Sequence, residues 1–94
     1  MNKEPYNKKS DLTKEIQSIP VLLEKIANQL CERRAYDCLY RFLPALFATN
    51  GTRDGWELCR KALADTRALC KGKLKEDEEN LIHLTMNIID RMLG

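Results

Sequence analysis

Apolar residues recur along the chain at intervals of three and four, the spacing that lines one face of an α-helix. Ser10 offers a capping hydroxyl to a short helix from Asp11 to about Ser18, with Leu12, Ile16 and Ile19 on its apolar side. Pro20 has no amide donor and fits a first helical turn, so it ends that helix or starts the next. From Pro20 to about Arg34, Leu22, Leu23, Ile26, Ala27, Leu30 and Cys31 share one side, with Glu24, Lys25, Asn28 and Glu32 opposite. The stretch Ala35 to Ala48 differs: its apolar and aromatic side chains cover all but a narrow strip holding Asp37, Arg41 and Pro44. Residues 20–48 read as one bent helix or two. Glu32-Arg33-Arg34 is the one internal hint of a break, and Pro44 predicts a kink in the last turn. Thr49-Asn50-Gly51 is a stop signal.

Asp54 is the expected cap of a helix from Gly55 to about Lys71, ended by Gly72, with Trp56, Cys59, Leu63, Thr66 and Cys70, joined by Leu58, Ala62 and Leu69, on a broad buried face. The run Lys75 to Glu79 leads into a last helix ending near Leu93, its acidic residues suited to the positive end of the helix dipole. Leu81, Ile82, Leu84, Met86, Ile88, Ile89, Met92 and Leu93 occupy slightly more than half of its circumference. The expected fold is all-α: a compact bundle of four helices, five if 20–48 is broken. A flexible N-terminal arm over 1–9, which has no apolar period, precedes a single helical domain over 10–94.

Composition narrows this little. With 44% apolar and 32% charged residues among 94, the chain is globular, and a net charge of +2 demands no anionic partner. No run approaches the roughly 20 apolar residues that span a bilayer, and the N-terminus has no apolar signal core, so a cytoplasmic location is expected. Cys31, Cys38, Cys59 and Cys70 lack the close pairing of structural zinc ligands, and are expected as buried, reduced thiols.

Catalytic chemistry lacks its residues. His83 is the sole imidazole and falls between Asn80 and Asn87 on a polar helix face, and no phosphate-binding glycine loop or His-Glu-x-x-His pair is present. The acidic residues 76–79 fan out around a helix and cannot converge on one ion. No catalytic residue, metal or cofactor is therefore expected, and the chain is read as a binding protein and not an enzyme.

Two surfaces remain as candidates. Tyr36, Tyr40 and Phe47 fall along one side of the second apolar segment, and aromatics anchor protein interfaces. Arg53, Arg60, Arg67 and Lys71 lie within roughly 80° of one another on the helix 55–71 and form a stripe that could face phosphates. Glu57 interrupts it, and no residue on that face reads base edges. The over-wide apolar surfaces of 35–48 and 81–93 suggest a homodimer through one of them. Leu39-Tyr40-Arg41, followed by phenylalanines, resembles the Leu-Tyr-Arg signature of small helical mitochondrial assembly factors. The resemblance covers three residues, placed mid-chain where that family has them near the start of its first helix, and no acyl-carrier or iron–sulfur function is carried over. The expected function is a small protein-binding module, an adaptor, inhibitor or regulatory subunit that masks a partner's surface; the alternative is a nucleic-acid-binding regulator using the basic stripe.

Overall fold

A computed structural model describes the backbone of residues 4–94 and side chains from residue 12 onward. Four helices make up the fold: α1 (Glu4–Glu32), α2 (Tyr36–Phe47), α3 (Arg53–Leu69) and α4 (Glu76–Leu93). The fold is an all-α bundle, with a different division of the chain from the expected one. Pro20 breaks nothing, because α1 runs through it. Its ring is exposed, so the carbonyl that loses its amide partner can turn to water. Of the arm expected over 1–9, residues 1–3 lie outside the described residues, and the backbone of 4–9 belongs to α1.

The break comes at 33–35, beside the hint in Glu32-Arg33-Arg34, so residues 20–48 divide between two helices. Arg34 takes a left-handed conformation, φ 57°. The Ala35 amide then donates to the Leu30 carbonyl at 2.8 Å and the Arg34 amide to Cys31 at 3.0 Å, the paired closure of a Schellman motif. Such a turn reverses the chain in three residues. Residues 48–52 make the second turn, in which Asn50 Oδ1 accepts from the Thr52 amide and hydroxyl. Thr52, not Asp54, caps α3: its Oγ1 accepts from the Gly55 amide at 3.0 Å. A Cβ on Gly55 would stand 2.4 Å from the Ala48 carbonyl oxygen, so glycine lets α3 start hard against the end of α2.

Each helix packs on its two neighbours around a ring, α1 on α2, α2 on α3, α3 on α4 and α4 on α1. The cross-links fix the directions. Arg33 near the end of α1 meets Glu78 at the start of α4, while Arg91 near the end of α4 reaches Glu15 of α1 at 2.5 Å. Arg60 of α3 pairs with Asp90 of α4, and Arg53 donates to the Leu93 carbonyl at 3.2 Å. Neighbours therefore run antiparallel. Ile19, Leu23, Ile26 and Leu30 of α1, Phe42 of α2, Leu63 of α3, and Ile82, Ile88 and Ile89 of α4 fill the centre, all at most 1% exposed. Among the described residues, no helix is long and apolar enough to cross a membrane.

Candidate functional site

The helical repeat decides what α2 shows to its surroundings. Cys38, Phe42 and Ala45 are buried and set its inward direction. At 100° per residue, the opposite direction falls on Tyr36, Tyr40 and Phe47, with Pro44 beside them. Their exposures are 46% for Tyr36, 67% for Tyr40 and 80% for Phe47. Phe47 and Pro44 form one wall of a groove of about 550 Å³ between α2 and α3, and Leu58 of α3, 60% exposed, forms the other. Arg41, Lys61, Asp54 and Asp65 stand around it. Sequence periodicity found the aromatic residues. It puts Leu58 and Leu69 with Ala62 on the buried face of α3, yet the two leucines are 60% and 57% exposed, because only the packing of α2 beside α3 shows which edge of the apolar face stays open.

The basic stripe faces another way. Arg53 donates to the Leu93 carbonyl and lies 3.4 Å from Glu57. Arg60 is clasped by the Asp90 carboxylate, and its Nη2 donates to Asp90 Oδ2 at 3.2 Å. That pairing and its charge attraction hold the Asp90 carboxyl below its ordinary range and raise the Arg60 guanidinium. Two of the four cations thus serve the α3–α4 seam. Arg67 and Lys71, both exposed, line a separate shallow cavity of about 400 Å³ with Glu79 and Met86.

The acidic residues at the start of α4 do not all face water. Glu78 is fully buried. Arg33 Nε donates to its Oε2 at 2.9 Å and Nη2 to its Oε1 at 2.5 Å, while the Lys75 amide adds a bond at 2.9 Å. Burial pushes the Glu78 carboxyl up, but the Arg33 fork, the Lys75 amide and the nearby charges together outweigh it and hold it below its ordinary value. A second Arg33 Nη2 bond, to the Lys73 carbonyl at 2.9 Å, ties the α3–α4 turn to the end of α1.

The cysteines also depart from expectation. Only Cys59 is a buried thiol, and burial pushes it up to about 11, which leaves it protonated and unreactive. Cys31 is exposed. Cys38 and Cys70, both buried, are joined in a disulfide with their Cα atoms 5.9 Å apart, because the antiparallel packing of α2 on α3 brings together residues 32 apart in sequence. His83 lies exposed on the outer face of α4. Of the Leu-Tyr-Arg tripeptide, Leu39 is half-buried and Tyr40 and Arg41 are exposed. Among the described residues, no group of three or more His, Cys, Asp or Glu side chains converges as metal ligands would. Compared with family models, curated proteins and solved structures, the chain matches none of them.

Proposed function

We propose that the chain is a protein-binding module, an adaptor, inhibitor or regulatory subunit, that masks a partner's surface with the outer face of α2 and the groove beside it. One observation carries this reading: three ring-bearing side chains point straight away from a bundle that already buries the other side of their helix. An aromatic side chain presents about 200 Å². At the exposures given, the three together show roughly 400 Å² of ring surface, within the range of patches that are commonly functional. Arg41, Lys61, Asp54 and Asp65 supply the polar rim such a patch needs. Binding without catalysis belongs to the same reading, as does a cytoplasmic location, where Cys38 and Cys70 would be kept as a pair of adjacent thiols.

A nucleic-acid role through Arg53, Arg60, Arg67 and Lys71 has less support, since Arg53 and Arg60 already donate within the bundle. The two readings separate in one experiment. Wild type, a Tyr40→Asp/Phe47→Asp variant and an Arg67→Glu/Lys71→Glu variant serve as bait in cells of origin and in a mobility shift with duplex DNA and with RNA. The expected outcome is a specific protein partner lost with the α2 variant and kept with the α3 variant. A salt-sensitive nucleic-acid shift abolished by the α3 changes alone would overturn it.

A further inference from the structure

The stripe on α2 is nearly symmetric about its middle. Tyr36, Tyr40, Pro44 and Phe47 stand four, four and three residues apart. A second α2 laid antiparallel across the first therefore sets Tyr36 beside Phe47 and Tyr40 beside Pro44, twice over. Self-complementarity of this kind is what a two-fold interface requires.

The charges beside the stripe obey the same operator. Arg41 and Lys61 face Asp54 and Asp65 around the groove, two of each sign, so the rim favours neither an acidic nor a basic partner. Lys61 and Asp65 lie one turn apart on α3, 3.8 Å from each other. Set antiparallel against its own copy, that pair places each charge opposite its counter-charge. The size fits as well: a standard interface buries about 800 Å² on each side, with an apolar centre inside a polar rim. The roughly 400 Å² of ring surface, with Leu58 and Pro44, supplies such a centre.

We infer that the outer face of α2 and the α2–α3 groove bind a second copy of this chain, in an isologous dimer whose two α2 helices cross antiparallel. This rests on the reading of that face as a protein-binding surface and names its occupant. α4 offers no equivalent, since its outward face carries Asn80, His83, Asn87 and Asp90.

Sedimentation tests the assembly. The expected mass at about 100 µM is that of a dimer, a concentration a hundredfold above a Kd of about 1 µM. Tyr40→Asp and Phe47→Asp, both at exposed positions, should each weaken association more than tenfold with an unchanged helical spectrum. A wild-type monomer at that concentration overturns the dimer, while the capture experiment above still decides the wider reading. Geometry is tested by cross-linking in a Cys31→Ser background with a short bis-maleimide. Tyr36→Cys mixed with Phe47→Cys should give a covalent dimer and neither alone should. Efficient cross-linking of either one by itself overturns the antiparallel arrangement.

Discussion

Helices α2 and α4 carry the two widest apolar surfaces of the chain, and both pack against two neighbours, yet they end in opposite situations. The apolar half of α4 coincides with the half its neighbours cover: Ile82, Thr85, Met86, Ile88 and Ile89 are buried, and the outward strip is polar. In α2 the apolar residues continue past the covered half onto the outward side. Two flanking helices hide about half of a helix, so apolar width up to half is core, and only the excess is surface. The expectation that either segment could meet a second chain therefore narrows to α2; of the large apolar α4 side chains only Leu84 is substantially exposed.

The means of attachment differ too. With part of its apolar surface turned outward, α2 has fewer buried side chains to hold it, and it is the helix that a disulfide fastens to α3. Chain entropy assigns a closed loop of this length about 3.5 kcal/mol. Reduction with dithiothreitol, or Cys38→Ser with Cys70→Ser, should lower the unfolding free energy by about that much, the largest effect expected of these changes. Urea melts with and without reductant measure it. Alkylation of the denatured, unreduced protein should modify two cysteines, Cys31 and Cys59. Four modified cysteines in protein taken directly from its native cell would show that the bond is not made there, as a reducing cytoplasm would dictate.

Matched truncations test the comparison itself. Ile89→Ala in α4 removes a fully buried side chain and should cost about 3 kcal/mol. Phe47→Ala in α2 removes a larger one that is 80% exposed, and should change the stability of the monomer by under about 0.5 kcal/mol. Equal losses in dilute solution, where association is absent, would mean that the outward face of α2 is covered from within the same chain.

The helical class and the aromatic stripe were legible because both follow from spacing within one segment. What escaped depends on residues far apart or on a conformation with no residue signature. The α1–α2 turn was hinted at by Glu32-Arg33-Arg34 but not decided, because it uses Arg34 where glycine or asparagine would have announced it, and Pro20 announced a boundary that an exposed ring does not enforce. The angle of the basic stripe was readable, whereas its direction was set by Asp90 and the Leu93 carbonyl on another helix. Glu78 was indistinguishable from Glu76, Asp77 and Glu79 until the end of α1 was placed beside it, 45 residues away in sequence. The Cys38–Cys70 bond is non-local in the same sense.

Apart from the near-neutral Phe47→Ala, the ion pair of that buried Glu78 gives the smallest of these stability effects, and the one with a pH signature. Its carboxyl lies below its ordinary value in the folded protein and near about 4.3 when unfolded. The unfolded state therefore takes up a proton first on acidification. The ion pair's contribution is complete above the unfolded value and disappears as pH falls through the folded one. Arg33→Ala leaves the carboxylate buried without its cation, and because Arg33 is itself partly exposed the cost at neutral pH should be about 2 kcal/mol, below the range for fully buried pairs. The deficit should begin to shrink where the stranded carboxylate of the variant takes up a proton, above the ordinary carboxyl value, and should vanish once the wild-type carboxyl, held below that value, is protonated as well. Unfolding free energies of wild type and variant across pH 3 to 7 measure this convergence. A gap that stays constant over the whole range would assign the loss of Arg33 to its bond with the Lys73 carbonyl, which does not titrate, and not to Glu78.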